Sequence, residues 1–154
     1  MQVTDLITPH SIVARLPAAT KKQALQELAK RAALIVAVPE RAIYEVLAER
    51  ERLGTTGVGA GIAIPHGKLP GVTKMTGLFA HLEKPVDFEA IDNQPVDLVF
   101  LLLAPQGAGA EHLKALACVS RLLRDRSICA KLRGADNPDA LYAILAEQRA
   151  SDAA

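Results

Sequence analysis

The sequence predicts an α/β chain in which a mixed β-sheet is sandwiched between α-helices. Three observations carry that expectation. The stretch "VDLVFLLLAP", 96–105, is nearly all apolar and rich in branched side chains, as a central strand buried on both faces should be. Helical periodicities flank it, two before and three after. The strand-like segments do not alternate strictly with the helices, so a regular doubly wound sheet is not expected.

The elements follow in order. Thr20 starts a helix, and Gln23, three residues on, completes the pattern of a capping box. Leu25, Leu28, Ala32 and Ile35 recur at helical spacing, while Lys21, Lys22, Lys30 and Arg31 point elsewhere. Pro39 opens a second helix, with Glu40 near its positive end; it runs through "RAIYEVLAER" and stops before Gly54. A short strand at Ile62–Ile64 and another at 75–82, "MTGLFAHL", come next, and "KPVDF" continues beyond a turn. After the central strand, "GAGAEHLKALACVSRLLRD" becomes a helix whose glycines form its entry loop. "SICAKLRGA" is a short helix ended by Gly134, and Asn137 and Pro138 cap and open a last one, "PDALYAILAEQR". The final residues, 150–154, read as a frayed, flexible tail behind a single domain over 1–149.

Composition narrows the function. Only 3% of residues are aromatic and Trp is absent, so the core must be built from Ala, Leu, Val and Ile. Eighteen basic and 17 acidic side chains leave a net charge of +1, which gives no electrostatic footprint for nucleic acid. Cys118 and Cys129 fit neither a zinc spacing nor a CxxC pattern and are expected as buried, reduced thiols. The N-terminus lacks the regions of a signal peptide, and apolar runs fall short of the ~20 residues a membrane span needs. The expectation is a soluble, cytoplasmic protein with no membrane insertion.

The stretch "GTTGVGAGIAIPHGK", 54–68, stands apart, with five glycines and one histidine. It is not a Walker loop: Lys68 is followed by Leu69, and position 62 is Ile where the motif needs Gly. Nor is it a dinucleotide fingerprint, because a charged helix precedes it and a strand follows. What remains is either a plain helix-to-strand connection or a bare backbone that a partner can approach closely. His66 follows Pro65, which should end the strand, and Gly67 leaves one side of the ring unshielded. Such an imidazole can be a nucleophile, a base, a metal ligand or a packed core residue. The other histidines, His10, His81 and His112, form no local metal spacing with it, and no nucleophile motif for a hydrolase appears.

The run "ERERLGTTGVGAGIAIPHGKLPGV", with "FEAIDNQPVDLVFLLLAP" downstream, resembles the IIA component of the bacterial phosphoenolpyruvate-dependent phosphotransferase system, of the fructose/mannitol type. Within that type it is most similar to the nitrogen-regulatory IIA proteins, and the likeness covers nearly the whole chain. The resemblance implies that His66 of "PHGK" accepts a phosphoryl group from an HPr-like donor. It implies that His112 of "EHLKAL" and Arg50, placed by its spacing to His66, complete the catalytic group. His10 and His81 match no family motif.

Read this way, a ring with a pKa near 6.5 is mostly neutral at pH 7 and able to attack. Arg50 would clamp phosphoryl oxygens in a way Lys would not reproduce; taken alone it is one charge among Glu49, Glu51 and Arg52. Amides of Gly57, Gly59 and Gly61 are the expected phosphate-binding groups. Lys68 and Lys74 would add positive field or be ordinary exposed lysines, and Thr55 and Thr56 would cap the loop. Ile64, Val58 and Leu69 are expected as exposed apolar neighbours on the donor's docking surface. No cofactor or metal is implied. Without IIB or IIC sequence, a regulatory role is favoured, in which phosphorylation state governs binding to target proteins of nitrogen, carbon and potassium metabolism. The alternatives are a sugar-specific IIA that passes phosphate to a separate IIB, and a protein-binding module that is never phosphorylated.

Overall fold

The computed structural model describes the backbone of residues 1–153 and the side chains of residues 1–147. Its spine is strand β6, Val96–Pro105, preceded in the chain by β1 (Ile12–Leu16), β2 (Gly57–Gly59), β3 (Ile62–Ala63), β4 (His66–Leu69) and β5 (Thr76–Val86). The strand order is β1-β5-β6-β3-β2, with β4 also paired to β6. β5 runs antiparallel to β6, while β3 and β4 run parallel to it, so the sheet is mixed as expected.

Period-two alternation along β6 divides its side chains between two cores. Val99, Leu101 and Leu103 enter one with Leu25 and Leu28 of helix α1 (Lys21–Val36) and Ile43 and Leu47 of α2 (Glu40–Leu53). Leu98, Phe100 and Leu102 enter the other with Ala115 and Val119 of α3 (Ala110–Arg124), Leu132 of α4 (Arg126–Gly134) and Leu141 of α5 (Pro138–Ala153). A strand with fully buried residues on both faces has no polar positions to alternate, which is why its sequence reads as one apolar run.

Helix entries follow their capping residues. Thr20 Oγ1 accepts the Gln23 N–H at 3.1 Å, but the Gln23 side chain turns back to the N–H of Ala19, at 2.9 Å, one residue earlier than a standard box. Asn137 Oδ1 accepts the Ala140 N–H at 2.8 Å at the start of α5. The backbone of α5 runs on to Ala153, through residues read as a tail; Ala154 lies outside the described residues.

Several expectations are corrected. Ile35 is exposed rather than part of the α1 stripe, and Lys21 turns inward. β5 is one strand to Val86 with an irregularity between His81 and Val86, where a turn was expected. The strand before Pro65 does stop, at Ala63, but the chain resumes as β4 at His66. Ala63 faces Val99 and His66, three residues on, faces Leu102, three residues on, so 62–69 follows β6 in a single register. Proline lacks only a donor, and its carbonyl still accepts the Leu102 N–H at 2.9 Å. His66 therefore opens β4 instead of following the last strand.

Gly67 decides how closely α2 lies on β4. A Cβ built there would sit 2.3 Å from Val46 Cγ1, so the bare α-carbon is what lets this helix settle. Val46 and Arg50 are four residues apart on one helical face, and the same approach delivers Arg50 to the strand. Gly67→Ala should therefore destabilise the chain by about 1–3 kcal/mol. Adding Val46→Ala should restore part of that loss. Urea unfolding of the two variants checks this, and a Gly67→Ala protein as stable as wild type would refute the close approach.

Candidate functional site

His66 is half-buried on β4, with both ring nitrogens engaged. Nδ1 lies 2.9 Å from the carbonyl oxygen of Ile64. A carbonyl only accepts, so Nδ1 carries the proton and Nε2 keeps its lone pair. That lone pair accepts the Nε–H of Arg50 at 3.2 Å. Arg50 also donates from Nη1 to the carbonyl of Gly54 at 2.8 Å, tying its own guanidinium to the C-terminus of α2.

His112 is the third residue of α3 and is buried. Its ring centroid is 5.4 Å from that of His66, the planes tilted by 56°. Its Nδ1 is buried without a hydrogen-bond partner among the described residues, an arrangement that costs free energy unless the site uses it. The structure thus brings together His66, Arg50 and His112, from β4, α2 and α3.

Both imidazoles have pKa values below the ordinary 6.5. For His66 burial is the main cause; the Ile64 carbonyl opposes it, the Arg50 charge adds to it and the Glu51 carboxylate opposes it. For His112 burial leads, followed by His66 and Lys68. At neutral pH the site is a neutral nucleophile beside a permanent cation, suited to an anionic electrophile. Among the described residues no group of three or more His, Cys, Asp or Glu could hold a metal ion.

The glycines lead elsewhere. Gly59 and Gly61, both at positive φ, flank Ala60 in the turn between β2 and β3. Asp92 accepts the Ala60 N–H at 2.9 Å, and Arg133, paired with Asp97, donates to the Ala60 carbonyl at 2.8 Å. Added β-carbons would meet Ala90 at Gly57, Asp92 at Gly59, and Arg133 and Asp97 at Gly61. The Gly57 N–H already donates to Thr55 Oγ1. The neighbours found for these three glycines are a hairpin's braces rather than the imidazole.

The expected docking residues divide. Val58 is exposed, but Ile64 and Leu69 are buried, because alternation sends them into the α3–α5 and α1–α2 cores respectively. A groove of about 910 Å³ nevertheless adjoins Ile64, lined also by Val58, Ile91, Leu123, Arg124 and Arg126. Lys68 and Lys74 are exposed, as is His10, while His81 is half-buried. Neither cysteine is in a disulfide; Cys129 is buried, with its thiol pKa pushed up by that burial, and Cys118 is only partly buried. Sequence reasoning passed over Glu51 and Lys21, which form a largely buried ion pair. Helical spacing held the signal, since Glu51 lies four residues past Leu47 and Lys21 four before Leu25.

Comparison with known proteins gives a consistent result. Residues 5–148 match the family model described as phosphoenolpyruvate-dependent sugar phosphotransferase system, EIIA 2. The chain is 60% identical over 146 residues to a nitrogen regulatory protein of Bradyrhizobium diazoefficiens, covering 95% of each. It is 40% identical over 148 residues to the nitrogen regulatory protein of Escherichia coli K12, covering 96% of this chain and 91% of that one. The crystal structure of nitrogen regulatory protein IIA-Ntr from Neisseria meningitidis superimposes with a TM-score of 0.87 at 34% identity, over 93% of this chain and 98% of that one.

The lowered histidine pKa values set a pH dependence. The fold favours the neutral rings, so their contribution to stability is complete above the unfolded value near 6.5 and is lost as pH falls from there through the lowered folded values. Urea midpoints should hold from pH 8 to 7 and drop from pH 6.5 to 5, and His112→Gln should shrink that drop. An equal drop in His112→Gln would show that its imidazole carries no part of it.

Proposed function

The chain belongs to the EIIA type 2 family of the phosphoenolpyruvate-dependent sugar phosphotransferase system, and we propose that it is a phosphocarrier whose acceptor atom is Nε2 of His66. The observation that carries this reading is the pair of opposite hydrogen bonds on that ring. The Ile64 carbonyl selects the tautomer whose Nε2 has a lone pair, and Arg50 marks where a negative group would sit.

In the proposed step a phosphohistidine of an HPr-like donor approaches in line. The Nε2–P bond forms as the donor's N–P bond breaks, and Nδ1–H stays on the Ile64 carbonyl. Once the lone pair is in the new bond, the Arg50 Nε–H has lost its acceptor and turns to the phosphoryl oxygens. Such transfers depend on placement and charge stabilisation more than on covalent help by the protein. The His112 ring, at 5.4 Å, is a second donor for those oxygens.

The docking face follows from what surrounds the ring. Leu53, three residues beyond Arg50, and Leu113, next to His112, are exposed, as are Val58 and Ile91 on the neighbouring groove. These apolar side chains suit a protein partner. Phosphorylation would place roughly two negative charges beside them. The relatives that share the name nitrogen regulatory protein support a regulatory role in which target proteins distinguish the two states.

Incubation with phosphoenolpyruvate, the system's first enzyme and an HPr-type protein should yield an acid-labile, base-stable adduct on Nε2 of His66. His66→Ala should abolish it and remain folded. Arg50→Ala should slow transfer on the order of 100-fold, with Arg50→Lys intermediate because an ammonium is a point charge. An unmodified wild-type chain would favour the unphosphorylated binding module, and an unchanged Arg50→Ala rate would remove Arg50 from the site. Phosphate passed on to a IIB protein would favour the sugar-specific reading.

A further inference from the structure

Glu51 follows Arg50 in α2 and continues the buried row of Ile43 and Leu47. Lys21 occupies the matching place at the start of α1. The two rows converge, and Lys21 Nζ lies 2.6 Å from Glu51 Oε2, with the side chains 18% and 6% exposed. Lys21 also donates to the Phe88 carbonyl at 3.3 Å. Both remaining partners of the carboxylate belong to Thr56, itself buried: its N–H lies 3.1 Å from each carboxylate oxygen, and its hydroxyl donates to Oε1.

The path continues to the imidazole. The Thr56 carbonyl accepts the Ile64 N–H at 3.0 Å, and the Ile64 carbonyl holds Nδ1–H of His66 at 2.9 Å. Four links thus join the ammonium of Lys21 to the ring of His66 without a gap. A buried ion pair is a weak source of net stability, because desolvation offsets most of the attraction. Its directional bonds are another matter. They fix the peptide plane of Thr56, which fixes that of Ile64, whose carbonyl decides where the imidazole carries its proton.

We propose that Glu51, packed against Lys21, is a positioning residue for phosphoryl transfer at His66: it orients the Thr56 and Ile64 peptides so that Nδ1 keeps the proton and Nε2 keeps the unprotonated lone pair that attacks. This rests on the reading of His66 as the acceptor. Glu51 touches no reacting atom. Losing it loosens the tautomer and the ring orientation, which lowers the transfer rate constant and leaves donor binding unchanged.

The test compares Glu51→Gln and Thr56→Val with wild type by two readouts. Ring 15N shifts of His66 report the tautomer without any donor. Transfer from a phosphorylated HPr-type protein gives the rate constant at saturation and the KM for the donor. The expected result is a wild-type ring protonated at Nδ1, a mixture of tautomers in both variants, and a saturating rate on the order of 10-fold lower with KM within about twofold. Glu51→Asp, which restores charge but not reach, should not rescue. Should Glu51→Gln fail to fold, Thr56→Val decides, since it keeps the shape and removes one of the two groups by which the carboxylate holds the Thr56 peptide. A wild-type tautomer and rate in the folded variants would overturn the proposal. A wild-type chain that takes no phosphate would overturn the acceptor reading instead, while the 15N shifts still judge the relay.

Discussion

The His66 ring is fixed by two hydrogen bonds of opposite sense, and the functional geometry depends on that opposition. One nitrogen donates to a carbonyl and the other accepts from a guanidinium. A ring with two acceptors around it would have to be protonated, and a ring with two donors would have no nitrogen to spare for its own proton. Only the mixed arrangement holds a neutral imidazole in one tautomer with its lone pair aimed at a cation.

Three elements must meet to make that arrangement, and the sheet determines where they can. Helices α1 and α2 cover one face and α3 to α5 the other. A side chain at the centre of the sheet meets only one layer. His66 lies on β4, which pairs with β6 outside the main strand order, and here Arg50 from α2 and His112 from α3 both reach the ring. The close seat of α2 at Gly67 brings the first, and the packing of α3 through Ala115 and Val119 brings the second. The rigid doubly buried strand β6 is the common reference for both.

Much of this was legible in the sequence. The apolar run at 96–105 announced the spine, and capping residues marked the helix starts to within a residue. The short strands β1, β2 and β4 were not legible, because three to five residues containing glycine or charge carry too little periodicity to register. His66, His112 and Arg50 came from motif likeness; spacing alone left Arg50 among four successive charges. Glu51 was legible in principle. Its place in the row of Ile43 and Leu47 contradicts a solvated charge, but a lone Glu on an apolar row is interpretable only once its partner is known, and Lys21 is thirty residues away. The glycines were hard to read for a different reason. A glycine serving a hairpin turn and one serving a ligand have the same backbone freedom, and only the neighbours Asp92 and Arg133 distinguish them.

The same contacts explain how one residue can sense two states. Burial and Arg50 hold the His66 pKa down, while the Ile64 carbonyl and Glu51 hold it up. A ring pushed too low becomes a poor nucleophile, and one pushed too high is protonated and inert. The opposing influences leave the ring neutral and still reactive at neutral pH. On the proposed reading, a phosphoryl group on the ring reverses the sign of the Arg50 interaction. The guanidinium that disfavours an imidazolium favours a phosphate, so its energy differs between the two states, which is what a switch requires. In the proposed scheme the Lys21–Glu51 pair, held by internal partners at Phe88 and Thr56, supplies geometry, and the choice of state falls to the donor and to whatever docks around the ring.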